Sequence, residues 1–392
     1  MSKLNKIFYG PAGTGKTRRA IKESIKIVQE SNDKYTLGLL DYDTSSYEKA
    51  MTFFKVVSNM QRLDDSFDKL DSTKKKLLND INDLNKDVDS IVGDRKYIGY
   101  LMDLENPKNH ILKYRLYPLI EIVTFHPSYS YQDFVEGITV QTNEDGSIEY
   151  FVKDGIFKRI CKRAIDNPNY NYVLVIDEIN RGDISSIFGE LFTLLEESKR
   201  KNKNEELTIN LPYSKDKKGN PEKLSVPDNL YVLATMNTVD KSIALIDVAL
   251  RRRFDFIECM PDYSIDELKT YNDVNIPALL RVLNKRVCIL KNEHYQIGHS
   301  YFMNINNFDE LKGVLKKSII PLLQEYFYDD WQSICAVLNQ PYKGASKNLL
   351  VIEKPSKSIF REEFDDLIEY ANTKIFKINK DFTKQDVINI YT

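Results

Sequence analysis

An apolar strand pattern near the start of the chain runs into a glycine-rich octapeptide and then into a helix pattern. The octapeptide fits G-x-x-x-x-G-K-[ST], the pattern of loops that bind nucleotide phosphates. Its glycines let successive backbone N–H groups turn toward the phosphates, and the following helix adds the positive end of its dipole. We predict that Lys16 reaches the β- and γ-phosphates and that Thr17 ligates Mg²⁺. The predicted nucleotide-binding residues are Gly10, Pro11, Ala12, Gly13, Thr14, Gly15, Lys16 and Thr17.

A second apolar run, 173–176, ends in two acidic residues, Asp177 and Glu178. A continuous apolar run of this length is typical of a strand buried on both faces of a parallel sheet. Nucleotide hydrolysis needs one carboxylate that holds Mg²⁺ and another that deprotonates the attacking water. We predict the first role for Asp177, through the water shell of the metal, and the second for Glu178.

A third apolar run, 230–235, leads to Asn237, which we expect to hydrogen-bond the γ-phosphate or the attacking water. A helix pattern at 243–250 follows, and then three consecutive arginines. Guanidinium groups can stabilise the charge of a nucleotide that is bound to a neighbouring subunit. The alternative for such a run is a solvated surface. We predict that one or two of these arginines act in trans; they are Arg251, Arg252 and Arg253.

Composition excludes several classes of protein. No stretch approaches the roughly 18 consecutive apolar residues that a membrane helix needs. The first residues do not form a secretory signal pattern, and a net charge of −2 gives no global basic field for nucleic acid. The cysteines are far apart, which argues against a disulfide framework and a structural zinc and predicts a cytoplasmic protein. They are Cys161, Cys259, Cys288 and Cys335.

Four segments together resemble the McrB family, the AAA+ GTPase motors of modification-dependent restriction systems. They are TFHPSYSYQDFVEG at 124–137, IDEINRGDIS at 176–185, MNTVDKS at 236–242 and QIGHSYF at 296–302. The resemblance runs from about residue 6 to residue 338, apart from one insertion. The family usually reads M-N-T-A-D-R in the third segment. Val239 and Lys241 depart from that pattern and leave Asn237 and Asp240 in place.

The resemblance implies a nucleotide-dependent homo-hexameric ring that prefers GTP to ATP. It also implies a McrC-like partner that carries the nuclease, with DNA engaged through the complex and no membrane involved. Asn237 and Asp240 would relay stimulation by that partner to the water held by Glu178. The residues themselves leave ATP open, because the guanine-reading N-K-x-D element is absent. One alternative is an ATP-driven MoxR-like remodelling ATPase. Another is an assembly scaffold with little turnover, and the intact pair Asp177 and Glu178 argues against that scaffold.

Two hairpin inserts are predicted in the first 260 residues, which we assign to the AAA+ core. The first, 138–153, contains an Asp-Gly turn between short β-rich runs. The second, 207–227, carries lysines at its tip. Such loops either face the pore of a ring or are simply solvated.

Helix patterns at 276–290, 308–320 and 321–338 predict a helical lid over 261–340. Within it, His299 fits either a hydrogen-bonded structural role or a contact with the nucleotide. Residues 341–392 form a tail whose role cannot be read from the sequence.

A heptad pattern between residues 53 and 91 predicts an inserted, coiled-coil-like helical arm over 46–112. This arm is either a rigid decoration or a surface that binds a partner. The sequence thus predicts a P-loop α/β AAA+ fold with a parallel-sheet core, a C-terminal helical lid and an inserted arm.

No nuclease site of its own is expected in this chain. The motif-like pair Pro261-Asp262 and Glu267-Leu268-Lys269 has its acids too close together for separate strands to present them to one metal. We also expect no target-reading DNA-binding domain ahead of the phosphate loop, so another subunit, the arm or the hairpin loops would recognise the target.

Overall fold

The computed structural model describes residues 4–30, 119–142, 146–239, 248–268, 270–271, 273–303, 305–342, 348–353 and 375–392. The predicted arm at 46–112 lies outside the described residues, and so does Asp240. Within the described ranges, no helix combines the length and the apolar character that a bilayer crossing requires.

The described residues form thirteen strands, numbered in chain order. They are β1 (Asn5–Gly10), β2 (Ile120–Thr124), β3 (Glu136–Thr142), β4 (Ile148–Asp154), β5 (Tyr172–Asp177), β6 (Ile209–Lys215), β7 (Pro221–Leu224), β8 (Leu230–Asn237), β9 (Asp255–Glu258), β10 (Thr270–Tyr271), β11 (Val274–Asn275), β12 (Leu350–Glu353) and β13 (Ile375–Ile378).

Eleven α-helices of the described residues are numbered in the same way. They are α1 (Lys16–Glu30), α2 (Tyr131–Phe134), α3 (Ile156–Asp166), α4 (Ile184–Phe188), α5 (Leu191–Leu194), α6 (Val248–Arg253), α7 (Ile276–Leu290), α8 (Phe308–Val314), α9 (Ile320–Phe327), α10 (Trp331–Val337) and α11 (Lys384–Tyr391).

A five-stranded sheet has the order β2-β5-β8-β1-β9. β5 pairs in parallel with β2 on one side and with β8 on the other. The apolar side chains of β5 are buried on both faces, because helices cover a parallel sheet on each side. The parallel sheet that the sequence predicts is confirmed. Because the carboxyl ends of parallel strands meet at one edge, Thr235 near the end of β8 lies beside Asp177 at the end of β5.

The chain divides into two compact units, and each is described by itself. The core unit comprises Met1–Phe8, Thr17–Met236 and Ser242–Ile257. The lid unit comprises Tyr9–Lys16, Asn237–Lys241 and Glu258–Thr392.

Two antiparallel hairpins project from the core unit. β3 pairs with β4 from Glu136 opposite Asp154 to Thr142 opposite Ile148, and β6 pairs with β7. The first hairpin exposes large apolar side chains, including Ile138 and Tyr150. A cluster of charged side chains connects the base of the first hairpin to the turn end of the second, through Lys158 and Glu222.

Helices α7 to α10 supply most of the buried interior of the lid unit. α7 begins where the Asn275 side chain accepts a hydrogen bond from the Ala278 N–H, with proline in its first turn. The continuous helix predicted over 321–338 is wrong, because α9 and α10 are separate helices. Tyr328 and Asp329 have left-handed backbone angles (φ 51° and 59°), and the Asp330 carboxylate then caps α10. Because Asp330 caps the start of a new helix, the segment forms two helices although its apolar pattern is continuous.

The C-terminal residues complete the interior of the lid unit. β12 and β13 form an antiparallel pair, and α11 packs against α7. The residues that this segment buries are Leu349, Leu350, Phe382, Val387 and Ile390. The tail that the sequence left without a role is thus, in its described parts, a structural part of the lid unit.

Candidate functional site

The phosphate loop connects β1 to α1. Gly13 and Gly15 adopt left-handed backbone angles (φ 75° and 73°), which a residue with a β-carbon would adopt only under strain. The Thr14 hydroxyl donates to the Pro11 carbonyl at 2.9 Å and helps to hold the curl of the loop. Lys16 is buried, and its ammonium lies 2.6 Å from the Pro11 carbonyl oxygen. The positive charge therefore lies over the backbone of the loop.

The end of β8 lies beside the start of the phosphate loop. The Thr238 N–H donates to the Gly10 carbonyl at 3.1 Å, which brings the neighbouring Asn237 to this side of the lid unit. Asn237 is half-buried at the last position of β8. Its expected contact with a γ-phosphate or a water stays a prediction. Asp240, its partner in the predicted relay, falls outside the described residues.

A short segment of the lid unit also packs on the phosphate loop. The Ser300 N–H donates to the Gly13 carbonyl at 3.0 Å. A β-carbon on Gly13 would lie only 2.8 Å from the Ser300 hydroxyl oxygen, so the two backbones are in close contact. The loop and the segment 298–301 are therefore neighbours within one unit.

Two hydroxyl groups donate hydrogen bonds to Asp177, the predicted metal ligand at the end of β5. Oδ1 of Asp177 accepts hydrogen bonds from Oγ1 of Thr17 at 2.8 Å and from Oγ1 of Thr235 at 2.6 Å. Thr17 and Asp177, the two predicted metal ligands, are thus in direct contact. Thr235 is a residue that the sequence reasoning missed. Its signal is a threonine at a buried position of the largely apolar strand β8.

The oxygen atoms at this point suit Mg²⁺. This ion takes one or two protein carboxylates or hydroxyls and completes its shell with phosphate oxygens and water. The Thr17 hydroxyl and the Asp177 carboxylate form such a pair. Over the described part of the chain, no group of three or more His, Cys, Asp or Glu residues is arranged to hold a metal. The described residues therefore fit a magnesium ion that is shared with a nucleotide.

Glu178, the predicted general base, directly follows β5 and has an unusual backbone conformation. Glu178 has φ 55° and ψ 48°, a left-handed combination that costs a non-glycine residue about 1–3 kcal/mol. The Glu178 N–H donates to the Thr235 hydroxyl at 3.1 Å. Arg181 approaches its carboxylate, with Nε 3.6 Å from Oε2. Strained residues of this kind concentrate at functional sites, which is consistent with the role predicted for Glu178.

The three consecutive arginines differ in their surroundings. Arg253 is largely buried: one guanidinium nitrogen lies 2.6 Å from a Glu196 carboxylate oxygen, and the group lies 4.6 Å from the ring centre of Phe192. Arg251 lies over the Phe256 ring, at 5.5 Å from its centre. Arg251 and Arg252 are both exposed. The structure therefore holds Arg253 inside the core unit and leaves the other two at the surface.

Comparison with known proteins gives matches over both units. The model for the AAA domain (dynein-related subfamily) matches residues 111–254, and the model for the McrB alpha-helical lid domain matches residues 275–335.

Two curated relatives match parts of the chain. The type IV methyl-directed restriction enzyme EcoKMcrB subunit of Escherichia coli K12 is 34% identical over 229 residues, which cover 54% of this chain and 48% of that protein. The type II restriction enzyme BsuMI component YdiS of Bacillus subtilis 168 is 28% identical over 162 residues, which cover 34% of this chain and 46% of that protein. The chain thus spans about half the length of the curated relatives it matches.

Proposed function

Because the chain is an McrB-like AAA+ protein, as its sequence predicts, we propose that it is the nucleotide-hydrolysing motor subunit of a restriction complex. The observation that carries this proposal is the direct contact between Thr17 of the phosphate-loop motif and Asp177 at the end of β5. Two distant parts of the sequence with predicted roles in one reaction meet there. The family models and the curated relatives do not favour the MoxR-like remodelling ATPase.

In this proposal the chain's own residues bind the nucleotide and prepare the water. The N–H groups of the phosphate loop and the Lys16 ammonium bind the phosphate oxygens. Thr17 and Asp177 hold Mg²⁺, which when bound neutralises part of the phosphate charge. Glu178 accepts the proton of the attacking water as general base, and Asn237 orients the water or the γ-phosphate.

The assembly is part of the same proposal. We propose a cytoplasmic homo-hexamer that prefers GTP to ATP and reaches DNA through a complex with a McrC-like nuclease subunit. The surface position of Arg251 and Arg252 favours one of them as the finger that acts on a neighbouring subunit's nucleotide. Asp240 together with Asn237 would receive the stimulation by the nuclease partner.

Steady-state hydrolysis of GTP and ATP, measured side by side, tests the activity. We expect a preference for GTP and a nucleotide-dependent increase in particle size on gel filtration. Lys16→Ala should abolish nucleotide binding. Glu178→Gln should bind nucleotide but hydrolyse it at least about a hundredfold more slowly, because the general base is lost.

Each result can contradict a different part of the proposal. If Lys16→Ala retained its affinity in a binding titration, the phosphate loop would not be the nucleotide site. Near-normal turnover by Glu178→Gln would assign the general base to another residue. A preference for ATP would leave the site standing and remove the GTP-specific part of the proposal.

A further inference from the structure

We propose that His299 is a ligand of the nucleotide phosphates, and that its Nε2–H donates a hydrogen bond to a phosphate oxygen at the phosphate loop. This inference rests on the proposed function, because it assigns a further binding residue to the same nucleotide. Its evidence comes entirely from contacts within the lid unit.

The backbone around His299 is fixed against the phosphate loop. A β-carbon on Gly298 would lie 2.1 Å from the carbonyl group of Gly13 and 2.4 Å from the Ala12 oxygen, so no larger residue fits there. On the other side of His299, the Ser300 N–H donates to the Gly13 carbonyl at 3.0 Å. With both neighbours anchored on the loop, the position of His299 relative to the loop is closely defined.

The hydrogen bonds of the ring define its tautomer. The Asp262 backbone N–H donates to Nδ1 of His299 at 3.1 Å. A nitrogen that accepts a hydrogen bond carries no proton, so the proton of the neutral ring is on Nε2. The turn that presents this N–H is itself held, because the Asp262 carboxylate accepts bonds from the N–H and the hydroxyl of Ser264. His299 therefore presents a donor at Nε2.

This donor is directed at the phosphate loop. A β-carbon on Gly15 would lie 3.5 Å from Nε2 and 3.9 Å from Cε1 of His299, so the Nε2 edge of the ring faces Gly15. Gly15 directly precedes Lys16, where the loop is expected to hold the β- and γ-phosphates. The imidazole is largely buried, with 8% of its residue surface exposed. A buried neutral donor at this position matches a phosphate oxygen better than it matches a nucleobase, which binds away from the loop.

Nucleotide titrations with two variants test the role of the donor. His299→Phe keeps an aromatic ring but removes the N–H, whereas His299→Gln keeps an N–H donor near the position of Nε2. We expect His299→Phe to bind GDP, ADP and the non-hydrolysable β,γ-imido triphosphates about tenfold or more weakly than the wild type, because a hydrogen bond to a charged group is lost. His299→Gln should recover most of that affinity. His294→Gln, at a half-buried histidine of the same unit, is the matched control.

Three outcomes are decisive. Wild-type affinity of His299→Phe, alongside lost binding by Lys16→Ala, would overturn the role of His299 alone. A loss confined to guanine nucleotides would place His299 at the base and would also overturn it. Retained binding by Lys16→Ala would instead remove the proposed function.

A measurement on the wild-type chain avoids any effect of substitution on folding. With ¹⁵N-labelled histidine, NMR should show His299 as the Nε2–H tautomer before GDP is added. Addition of GDP should shift the Nε2 resonance, which is assigned by its absence from the His299→Gln spectrum. An Nε2 resonance that does not respond to saturating GDP would overturn the proposal.

Discussion

At the scale of single residues, the Thr235 hydroxyl connects Asp177 and Glu178. It donates to Asp177 and accepts from the backbone N–H of Glu178. One buried group therefore orients the expected metal ligand and fixes the backbone of the expected general base. Partners that orient a metal ligand in this way typically contribute tenfold to a hundredfold to metal affinity or activity.

We expect Thr235→Val to lower kcat about tenfold or more and to raise the Mg²⁺ concentration needed for half-maximal hydrolysis. Valine has the same shape but supplies neither the donor nor the acceptor. Thr235→Ser, which keeps the hydroxyl, is the matched control and should stay close to the wild type. Equal kcat and Mg²⁺ dependence for the valine variant would show that the hydroxyl has no part in the site.

Sequence and structure contribute differently at this scale. The octapeptide from Gly10 to Thr17 could be interpreted because its chemistry depends on consecutive residues. The same holds for Asp177 and Glu178, which directly follow one apolar strand. The role expected of Thr235 depends on contacts with residues that are distant in the chain, so no local pattern could predict it. For His299 the sequence left a structural role and a nucleotide contact open, and the choice between them rests on how its ring lies against Asp262 and Gly15.

At the scale of elements, a cluster of charges around the buried Lys158 joins the two hairpins of the core unit. The Lys158 ammonium lies 2.7 Å from Glu136, 2.7 Å from Asp154 and 2.9 Å from Glu222. Glu136 and Asp154 lie at the base of the first hairpin, Glu222 lies in the second, and Lys158 lies in α3. The side chains of Lys158 and Glu136 have no exposed surface.

Burial and charge have opposite effects on these groups. Burial alone would raise the pKa of the three carboxyl groups, but their hydrogen bonds outweigh it, chiefly those from Lys158, so each pKa lies below its ordinary value. Burial would lower the pKa of Lys158, and its carboxylate partners outweigh that effect and raise it. The cluster is therefore charged at neutral pH. Removal of one partner would leave the charge of another without compensation, which is costly where that charge is buried.

We expect Lys158→Met to lower the free energy of unfolding by about 3–5 kcal/mol at pH 7, because it leaves the fully buried Glu136 carboxylate without a counter-charge. Lys162→Met is the matched control, since Lys162 pairs with the same Asp154 and Glu222, each at 2.9 Å, but is partly exposed. The control should lose less than about 1 kcal/mol. Denaturant unfolding measures both, and equal losses would contradict the central role of Lys158.

The same cluster has a defined pH dependence. Carboxyl groups with a lowered folded pKa stabilise the protein above their unfolded pKa of about 4, and this contribution is lost as the pH falls through the folded values. The contribution of Lys158, whose folded pKa is raised, is complete below its unfolded pKa of about 10.4 and is lost only at higher pH. The difference in stability between the wild type and Lys158→Met should therefore be constant from about pH 6 to 8 and narrow below about pH 4. A gap that widens in acid would contradict the ion-pair account.

The C-terminal helix α11 is a second element whose role can be tested. Ile390 is fully buried in the lid unit, whereas Lys384 in the same helix is exposed. We expect Ile390→Ala to cost about 2–4 kcal/mol because it opens a cavity in that interior. Lys384→Ala should change the stability by less than about 0.5 kcal/mol. If Ile390→Ala unfolded like the wild type in denaturant, α11 would be peripheral to the lid unit.

The sequence predicted α7 with its observed limits, because Asn275, a proline and an amphipathic pattern all agree there. It could not separate α9 from α10, since the apolar pattern continues across Tyr328 to Asp330. Nor did it reveal α11 as part of the lid interior. That helix is short, and what defines its role is the surface of α7 against which it packs.

At the scale of the whole molecule, the proposed reaction needs groups from two copies of the chain. Glu178 belongs to the copy that binds the nucleotide, while the finger arginine belongs to its neighbour. Arg253 is already paired with Glu196 inside the core unit, so Arg251 and Arg252 are the candidates. This division of labour predicts that two inactive variants can complement each other.

We expect Glu178→Gln and Arg252→Ala to be nearly inactive alone and to recover activity when they are mixed. A competent site needs Glu178 from one subunit and Arg252 from the next. Random assembly of an equal mixture therefore makes about a quarter of the sites competent, provided that the ring is a closed cycle of identical interfaces. Hydrolysis is measured at constant total protein, and the same mixture with Arg251→Ala identifies which arginine is the finger.

The control is a mixture of the Glu178→Gln variant with the double variant that carries Glu178→Gln and Arg252→Ala in one chain. This mixture should remain inactive, because no subunit in it supplies Glu178. Glu178→Gln is mixed in turn with Arg252→Ala and with Arg251→Ala. If both mixtures hydrolysed nucleotide only at the mean rate of their two components, neither Arg251 nor Arg252 would act in trans. The charge on the transferred phosphoryl group would then have to be stabilised by groups of the subunit that binds the nucleotide, and hydrolysis would lose its dependence on assembly.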